Sequence, residues 1–319
     1  MNKVGVCGHF GEGKKLLNGQ TVKTKMLTKE LNNVFGSEKV QILDTHGWKR
    51  NPIKLLMNCF NLMRNCENII ILPAKNGVQV FAPLILLLEK LFFKRKLHYV
   101  VIGGWLPEFI EEKHNLINKL KQFDGIYVET HSMINALEKL GIRNGIYLPN
   151  FKRLDILTET SLIYLEHEPY KLCTFSRVMK EKGIEDAINA VKEINSQFDG
   201  VKFTLDLYGQ IDENYKERFN ELQKEFPGYI SYKGLVNFDD SVKVLKDYFA
   251  LLFPTYYEGE GFAGTILDAF AAGVPVIATD WKYNAEIITH NHNGIIYNGK
   301  LEEILLSILD RPEKIREMK

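Results

Sequence analysis

The chain has 319 residues, of which 45% are hydrophobic and 25% are charged, enough for one very large domain or two of typical size. Its 41 basic and 40 acidic residues leave a formal net charge of +1, which excludes a strong overall attraction to nucleic acid. The four cysteines show neither a paired framework nor a CxxC spacing, which disfavours a zinc site and is typical of free thiols in a reducing compartment.

The N-terminal sequence MNKVGVCGHFGEG reaches glycines and charges after a few apolar residues, unlike a signal peptide or a targeting helix. The most apolar run, from Phe81 to Phe93, is interrupted by Pro83, Glu89 and Lys90, and it is shorter than the ~20 residues that a spanning helix needs. We therefore expect a cytoplasmic protein.

Short apolar runs alternate with longer segments of helical period along the whole chain. The runs are KVGVCG, VQILD, NIIILP, HYVVIGG, GIYVET and GIYLPN in the first half, and KLCTFSR, FTLDLYG, YISYKG, FALLFPT and PVIATD in the second. This alternation predicts an α/β protein with parallel sheets, built from two similar halves. A polar, acidic stretch without clear period, residues 152–170, marks the linker. We expect an N-terminal domain over residues 1–160 and a C-terminal domain over 161–319.

The most informative stretch is FPTYYEGEGFAGTILDAFAAGVPVIATD, residues 253–280, which predicts a strand, a glycine-rich turn, a short helix and a second strand. Ligands of open α/β sheets bind at the carboxyl ends of the strands, where glycines and helix N-termini bring backbone N–H groups close to phosphate or sugar oxygens. Glu260 and Asp268 frame this turn and can accept hydrogen bonds from sugar hydroxyls. Two simpler interpretations stay open: Thr265 and Asp268 have the spacing of a capping box, and Glu260 has the setting of a solvated loop acid.

This stretch resembles the donor-site motif of family 4 of the retaining glycosyltransferases. Glu260, Gly261 and Phe262 match the opening of the motif, and Gly273 to Thr279 match its end. Two positions depart from it: Ala263 precedes Gly264 where the family usually has glycine first, and Asp268 replaces a glutamate.

The resemblance implies two Rossmann-like domains facing each other across a cleft, the GT-B architecture. It also implies a nucleotide-sugar donor, expected to be a UDP-sugar, held mainly by the C-terminal domain. Glu260 would orient the donor sugar and Asp268 the ribose. The backbone of Gly261, Phe262, Ala263 and Gly264 would hold the sugar hydroxyls.

A second segment, FSRVMKEKGIEDAI, residues 175–188, resembles the family's diphosphate-binding segment at Arg177, Lys182 and Gly183. A departing diphosphate builds up negative charge, which a guanidinium and an ammonium can stabilise. The expected catalytic residues are therefore Arg177, Lys182 and Glu260, although an isolated Arg and Lys are more often surface charges. Because the two cations can take over the role of magnesium, we expect no metal and no cofactor beyond the nucleotide-sugar substrate.

Weaker matches complete the resemblance. Gly209 ends a strand of the family pattern, Leu235 lies where the family's backbone meets the nucleobase, and Gly19 lies near the expected donor phosphates. On the acceptor side, Gly104 and Trp105 stand where many members have a catalytic-site histidine. His131, after the next strand, could replace that histidine, although a lone histidine is more often structural.

Three other classes of protein compete with this interpretation. GHFGEGKK, residues 8–15, is close to a nucleotide triphosphatase loop, but Lys15 replaces the Ser or Thr that would hold magnesium. A dinucleotide-dependent oxidoreductase would need a G-x-G-x-x-G after a strand, which the chain lacks. The departures at Asp268 and at the missing histidine leave room for a non-catalytic sugar-nucleotide-binding subunit of a two-chain transferase.

The segment PLILLLEKLFFKRK, residues 83–96, ends in Phe92, Phe93, Lys94, Arg95 and Lys96, with Lys49, Arg50 and Lys54 possible neighbours. One interpretation is a buried helix with a solvated basic end. The other is a peripheral contact with an anionic membrane, which would bring the donor site to a lipid-linked acceptor. The resemblance favours a glycan or lipid-linked acceptor in surface polysaccharide biosynthesis.

Overall fold

The computed structural model describes residues 3–11, 19–165 and 167–319. The chain divides into two compact units, Met1–Phe151 and Lys152–Lys319. Over the described residues each unit has its own six-stranded parallel sheet with helices between the strands. Two separate sheets of this kind confirm the predicted α/β fold with two Rossmann-like domains.

The N-terminal unit alternates strands and helices throughout. Its elements are β1 (Val4–Gly8), α1 (Gly19–Phe35), β2 (Val40–Asp44), α2 (Pro52–Asn65), β3 (Asn68–Ile71), α3 (Lys75–Leu91), β4 (Lys96–Val100), α4 (Leu106–Ile110), α5 (His114–Leu120), β5 (Gly125–Val128), α6 (His131–Lys139) and β6 (Gly145–Tyr147). The strand order is β2-β1-β3-β4-β5-β6. All six strands predicted for this half are present.

The C-terminal unit repeats the pattern. Its elements are β7 (Tyr170–Phe175), α7 (Ile184–Ser196), β8 (Phe203–Tyr208), α8 (Lys216–Lys224), β9 (Ile230–Gly234), α9 (Ser241–Leu245), β10 (Ala250–Phe253), α10 (Gly264–Ala271), β11 (Val276–Thr279), α11 (Asn284–Ile287), β12 (Gly294–Tyr297), α12 (Leu301–Asp310) and α13 (Glu313–Glu317). The strand order is β12-β11-β10-β7-β8-β9. The five predicted strands are present, and the sequence analysis missed β12.

Burial explains why these segments read as apolar runs and helical stripes. A parallel sheet is covered on both faces, so β10 is buried at every position from Ala250 to Phe253. The helix α7 buries one stripe, in which Ile184, Ile188 and Val191 are almost completely inaccessible to solvent. Each such side chain stabilises the fold by about 1.5–3 kcal/mol relative to its exposed state.

In each parallel sheet, the direction in which successive strands are added reverses once. In the C-terminal unit the chain moves outward from β7 through β8 to β9, then returns and moves the opposite way from β10 through β11 to β12. The strands β7 and β10 are neighbours in the sheet, and the loops that follow them run in opposite directions. A crevice therefore lies between these loops, at the carboxyl ends of the two strands. This crevice is the place where a doubly wound sheet binds its ligand.

The segment that follows Phe151 packs on the C-terminal unit. The backbone N–H of Leu157 donates to the carbonyl of Ala271 at 2.9 Å, and Leu154 and Leu157 pack against the apolar cluster beneath α9 and α10. In the N-terminal unit, α3 continues through Pro83 without a break. Over the described residues, no helix combines the length and the apolar character that crossing a membrane demands.

Candidate donor site

Lys182 and Glu260 meet at the crevice between β7 and β10. The Lys182 ammonium donates to Oε2 of Glu260, and the hydroxyl of Thr255 donates to the same oxygen at 2.9 Å. Both charged side chains are largely buried, with 12% of the lysine and 8% of the glutamate side chain exposed. The ammonium also lies 5.0 Å from the ring centroid of Tyr257. The sequence-based interpretation of Glu260 as a solvated loop acid is therefore wrong.

Close backbone packing holds these two loops together. Gly183 has φ +67°, and a Cβ atom there would lie 2.0 Å from the carbonyl oxygen of Pro254. The backbone N–H of Tyr256 donates to the carbonyl of Glu181 at 2.8 Å, next to Gly183. The loop after β7 thus carries Lys182 directly onto the loop after β10, which carries Glu260.

Asp268 lies on α10 and is 2% exposed. Its Oδ2 accepts from the ammonium of Lys152 and its Oδ1 from the hydroxyl of Ser241 at 2.9 Å. The capping-box interpretation is wrong, because α10 begins at Gly264 with Ala263 as its N-cap residue, and the buried hydroxyl of Thr265 has no hydrogen-bond partner among the described residues. Glu260 and Asp268 are thus each paired with a lysine.

Arg177 and Gly209 lie together at the ends of β7 and β8. Gly209 has φ +138°, and a Cβ atom there would lie 1.8 Å from the carbonyl oxygen of Ser176, so the two turns are in direct backbone contact. The Arg177 side chain is 44% exposed, and its Nη1 lies 3.6 Å from Oδ2 of Asp212. It is therefore a solvent-accessible guanidinium beside the crevice.

The glycine-rich turn leads directly into α10. Gly261 is buried, whereas Phe262, Ala263 and Gly264 are partly exposed. The first N–H groups of a helix have no partner inside the helix, so the start of α10 offers backbone donors at this turn. Those donors suit phosphate or hydroxyl oxygens.

Leu235, just after β9, is exposed and lines a groove of about 810 Å³ on the C-terminal unit. The groove follows one face of β8 and β9 beside α9. At its wall the Tyr248 hydroxyl donates to Oδ2 of Asp206 at 2.7 Å and receives a bond from the Tyr208 hydroxyl at 2.8 Å. Burial, together with these two hydrogen bonds, raises the pKa of Tyr248. Among the candidate site residues of the C-terminal unit, Leu235 alone lines this groove.

The candidate residues of the N-terminal unit are spread over three strand ends. Gly19 is the first residue of α1, while residues 12–15 of the GHFGEGKK segment and Asn18 lie outside the described residues. Gly104 and Trp105 follow β4, and the Trp105 indole is buried and donates to the carbonyl of Ile102 at 2.8 Å. His131 begins α6, is exposed, and stacks on Tyr147 at a centroid distance of 4.1 Å.

The sequence analysis missed a buried ion pair in the same unit. Lys23 on α1 and Glu129 at the end of β5 are 4% and 3% exposed, and their charged atoms lie 2.5 Å apart. The sequence shows only threonines at helical spacing, Thr21, Thr24 and Thr28, and the structure is needed to see that this polar face is buried.

Lys152 was missed for a different reason. It is the first residue of the C-terminal unit and belongs to the stretch taken as a linker, where a single lysine carries no pattern. Within the described parts of the chain, no cluster of three or more histidine, cysteine, aspartate or glutamate side chains could hold a metal ion. All four cysteines are free, as the sequence analysis expected, and the structure shows that all four are buried.

The sequence is similar to those of known glycosyltransferases. Residues 169–310 match the domain model described as glycosyl transferases group 1. The GtfA subunit of the UDP-N-acetylglucosamine--peptide N-acetylglucosaminyltransferase of Streptococcus agalactiae is 33% identical over 173 residues, 53% of this chain and 32% of that protein. The alpha-monoglucosyldiacylglycerol synthase of Streptococcus pneumoniae is 25% identical over 216 residues, 64% of this chain and 48% of that protein. The chain thus spans a third to a half of the length of these two relatives.

A solved structure extends the similarity to the whole chain. The Anabaena protein HepE in complex with UDP and glucose superposes with a TM-score of 0.73 at 13% identity, covering 100% of this chain and 92% of that one. The fold is therefore that of the GT-B glycosyltransferases. The stretch that matches the glycosyl transferases group 1 model lies within the C-terminal unit.

Proposed function

We propose that this chain is a retaining glycosyltransferase that moves a sugar from a UDP-sugar to a glycan or lipid-linked acceptor at the cytoplasmic face of the membrane. The observation that carries the proposal is the Lys182–Glu260 pair, a buried cation and anion at the reversal point of the group 1 domain's sheet. The UDP in HepE and the UDP-sugar in the name of the GtfA relative support the choice of donor. The lipid product named for the pneumococcal synthase supports a lipid-linked acceptor.

The chemistry follows from the charges in the crevice. As the bond between the anomeric carbon and the diphosphate oxygen breaks, negative charge grows on the diphosphate. The Lys182 ammonium has three N–H donors and directs one at Glu260, so the others can bind the departing oxygens. Arg177 adds an accessible fork of donors beside them.

In the proposed mechanism the acceptor oxygen bonds the anomeric carbon on the face that the diphosphate leaves, which retains the configuration without a covalent enzyme intermediate. The proton of the acceptor hydroxyl then leaves with the diphosphate. Glu260, whose described hydrogen bonds both end on Oε2, would receive a sugar hydroxyl on its other oxygen and fix the sugar's orientation. The N–H groups at the start of α10 would hold further hydroxyls.

Asp268 would meet the ribose with Lys152 and Ser241 already bound to it. We further propose that no metal takes part, because Lys182 and Arg177 supply the positive charge that magnesium supplies elsewhere. Chelator should leave the turnover unchanged. Loss of all transfer on chelation, restored by manganese, would contradict this part of the proposal.

Donor hydrolysis by the purified chain, measured over a panel of UDP- and GDP-sugars, tests the function without knowledge of the acceptor. Lys182→Ala should lower the rate by about 10²–10³-fold, the loss typical of one donor that stabilises a developing anion. Lys180→Ala is the matched control, since Lys180 is an exposed lysine in the same turn. Equal rates for the two variants would refute the assignment of Lys182.

A second candidate function is a sugar-nucleotide-binding subunit without turnover of its own. The engagement of both Asp268 oxygens by protein groups favours it, since a ribose then has to share that carboxylate. UDP binding by calorimetry together with no hydrolysis of any donor would establish this alternative. Hydrolysis of one donor would exclude it.

A further inference from the structure

The outward faces of α2 and α3 carry apolar side chains in helical register. On α2, Ile53 and Met57 are 72% and 61% exposed and lie one turn apart, and Leu56 lies beside them. On α3, Leu87 and Leu91 are 54% and 63% exposed and also lie one turn apart. The inner faces of both helices are buried, so each helix is apolar on two sides. We call these five residues and Phe92 the α2–α3 surface.

A cluster of three aromatic side chains, Phe60, Phe92 and Phe93, connects the two stripes. Phe60 of α2 packs edge-on against Phe92 at a centroid distance of 5.5 Å and against Phe93 at 5.1 Å. Arg95 packs against this aromatic cluster: its Nε donates to the carbonyl of Met63 at 2.7 Å, and its guanidinium lies 5.3 Å from the centroid of the Phe93 ring. Arg95 and Phe93 therefore stabilise the junction, whereas Phe92, 59% exposed, faces outward.

The charge around this surface is strongly one-sided. Between Trp48 and Lys96 the sequence has nine lysines and arginines and two glutamates, a net charge of +7 in a chain whose total is +1. No acidic residue occurs from Thr45 to Cys66, a range that contains all of α2. Lys54, Lys90 and Lys94 are exposed beside the apolar stripes.

We infer that the α2–α3 surface docks on a lipid bilayer that contains anionic lipids. An exposed apolar stripe flanked by lysines is the composition of a helix that lies in the plane of a membrane interface. The apolar side chains enter the acyl boundary, and the lysines reach the phosphates of the headgroups. A protein partner would need a similarly extended acidic face, whereas anionic lipid supplies that charge at any orientation. The inference does not depend on the proposed enzymatic function, because docking requires no sugar nucleotide.

Because α2 and α3 pack against each other, the two stripes lie side by side on the N-terminal unit. The surface is therefore larger than residues 92–96, to which the sequence analysis pointed. The two stripes lie on different helices, so a substitution in one leaves the side chains of the other in place. The charged and apolar contributions can therefore be tested separately.

The first experiment is co-sedimentation of the full chain with vesicles of phosphatidylcholine alone or mixed with phosphatidylglycerol. We expect binding to the anionic vesicles that weakens as salt rises, since screening shortens the reach of the lysines. The variant Lys54→Glu/Lys94→Glu should lower the partition coefficient by about tenfold or more. Lys216→Glu/Lys224→Glu, two exposed lysines of α8, makes the same change in net charge and should leave binding near the wild-type value.

The second experiment tests the apolar stripe with a matched pair of substitutions. Ile53→Ser should reduce vesicle binding by about threefold or more, because it removes one apolar side chain from the bilayer. Ile156→Ser is the control, since Ile156 is 76% exposed and lies outside the α2–α3 surface. Circular dichroism of each variant verifies that the fold is retained.

Three outcomes would overturn the inference. The first is no binding to anionic vesicles at low salt. The second is binding that the α2–α3 variants and their controls reduce equally. The third is that the chain does not bind vesicles but forms a concentration-dependent dimer that Ile53→Ser abolishes. The surface would then be an interface between two copies of the chain.

Discussion

Lys152, the first residue of the C-terminal unit, is bonded to Asp268, a buried carboxylate 116 positions later in the chain. Ser241 completes the arrangement from the start of α9, so three separate segments converge on one carboxylate. Asp268 thus ties the segment that follows Phe151 to the helix that starts at the glycine-rich turn.

Lys152→Met should lower the free energy of unfolding by about 3 kcal/mol, because it removes the cation from a buried anion. The double variant Lys152→Met/Asp268→Asn should recover part of this loss, since the anion is removed as well. Urea unfolding of the two single variants and the double variant measures the coupling. Strictly additive losses would show that the two side chains do not stabilise each other.

Gly183→Ala should separate the two loops of the candidate donor site. The added Cβ would lie 2.0 Å from the carbonyl oxygen of Pro254, so the backbone next to Lys182 has to move away from the loop that carries Glu260. We expect a lower melting temperature and a loss of UDP binding, measured by calorimetry.

Gly200→Ala is the matched control for this change. Gly200 also has a positive φ, +101°, but a Cβ atom there meets nothing within 4 Å. The control carries the backbone strain, about 1–2 kcal/mol, without the clash. Equal losses of UDP binding in both variants would contradict the proposed role of this contact.

Lys23→Met should loosen the N-terminal unit while the C-terminal unit stays protected. It removes a cation 2.5 Å from the buried Glu129, whereas Lys29→Met changes an exposed lysine of the same helix. Because the two units have separate cores, amide hydrogen exchange should accelerate in α1 and β5 and remain unchanged in β7 and β10. Uniform acceleration over both units would argue against independent cores.

Glu185 should make the free energy of unfolding depend on pH in the acid range. The pKa of Glu185 lies below its usual 4.5, first because Arg218 of α8 donates to it at 2.5 Å and also because the Tyr215 hydroxyl donates at 2.9 Å. A carboxylate with a lower pKa in the folded state stabilises the fold above its unfolded pKa, and this contribution is lost as the pH falls through the folded pKa.

The difference in unfolding free energy between wild type and Glu185→Gln should therefore be constant near neutral pH and shrink below about pH 4. Glu213→Gln, at an exposed glutamate, should follow the wild-type pH profile. A Glu185→Gln difference that stays the same down to acid pH would mean that the carboxylate's charge does not stabilise the fold.

The sequence allowed the strands and the positions of the site residues to be predicted, but not their pairing. Apolar runs bounded by glycine and proline identified 11 of the 12 strands of the described residues, whereas β12 directly follows the polar stretch from Thr289 to Asn293 and was missed. Lys182 and Glu260 were each placed after a strand. Their contact depends on β7 and β10 being neighbours, and strand order is set by packing of the whole sheet rather than by local spacing.

The same limit explains the interpretations that were wrong. Thr265 and Asp268 have capping-box spacing, yet the helix starts one residue before Thr265, and Asp268 bonds to Lys152 and Ser241 instead. Local spacing predicts local hydrogen bonds. A charged side chain from a distant segment can replace such local hydrogen bonds when the carboxylate is buried, because a buried charge needs a partner of opposite charge.

The pairing of Lys182 with Glu260 should make the crevice select ligands that can bind both side chains at once. An isolated lysine would bind any phosphate. Because the charge of Lys182 is balanced by Glu260, an anion that makes no bond to Glu260 should bind weakly. A sugar diphosphate would present a hydroxyl to Oε1 of Glu260 and phosphate oxygens to the remaining N–H groups of Lys182, so it would satisfy both members of the pair. Inorganic phosphate, even in large excess, should therefore displace a sugar nucleotide poorly from the wild-type chain and more effectively from Glu260→Gln.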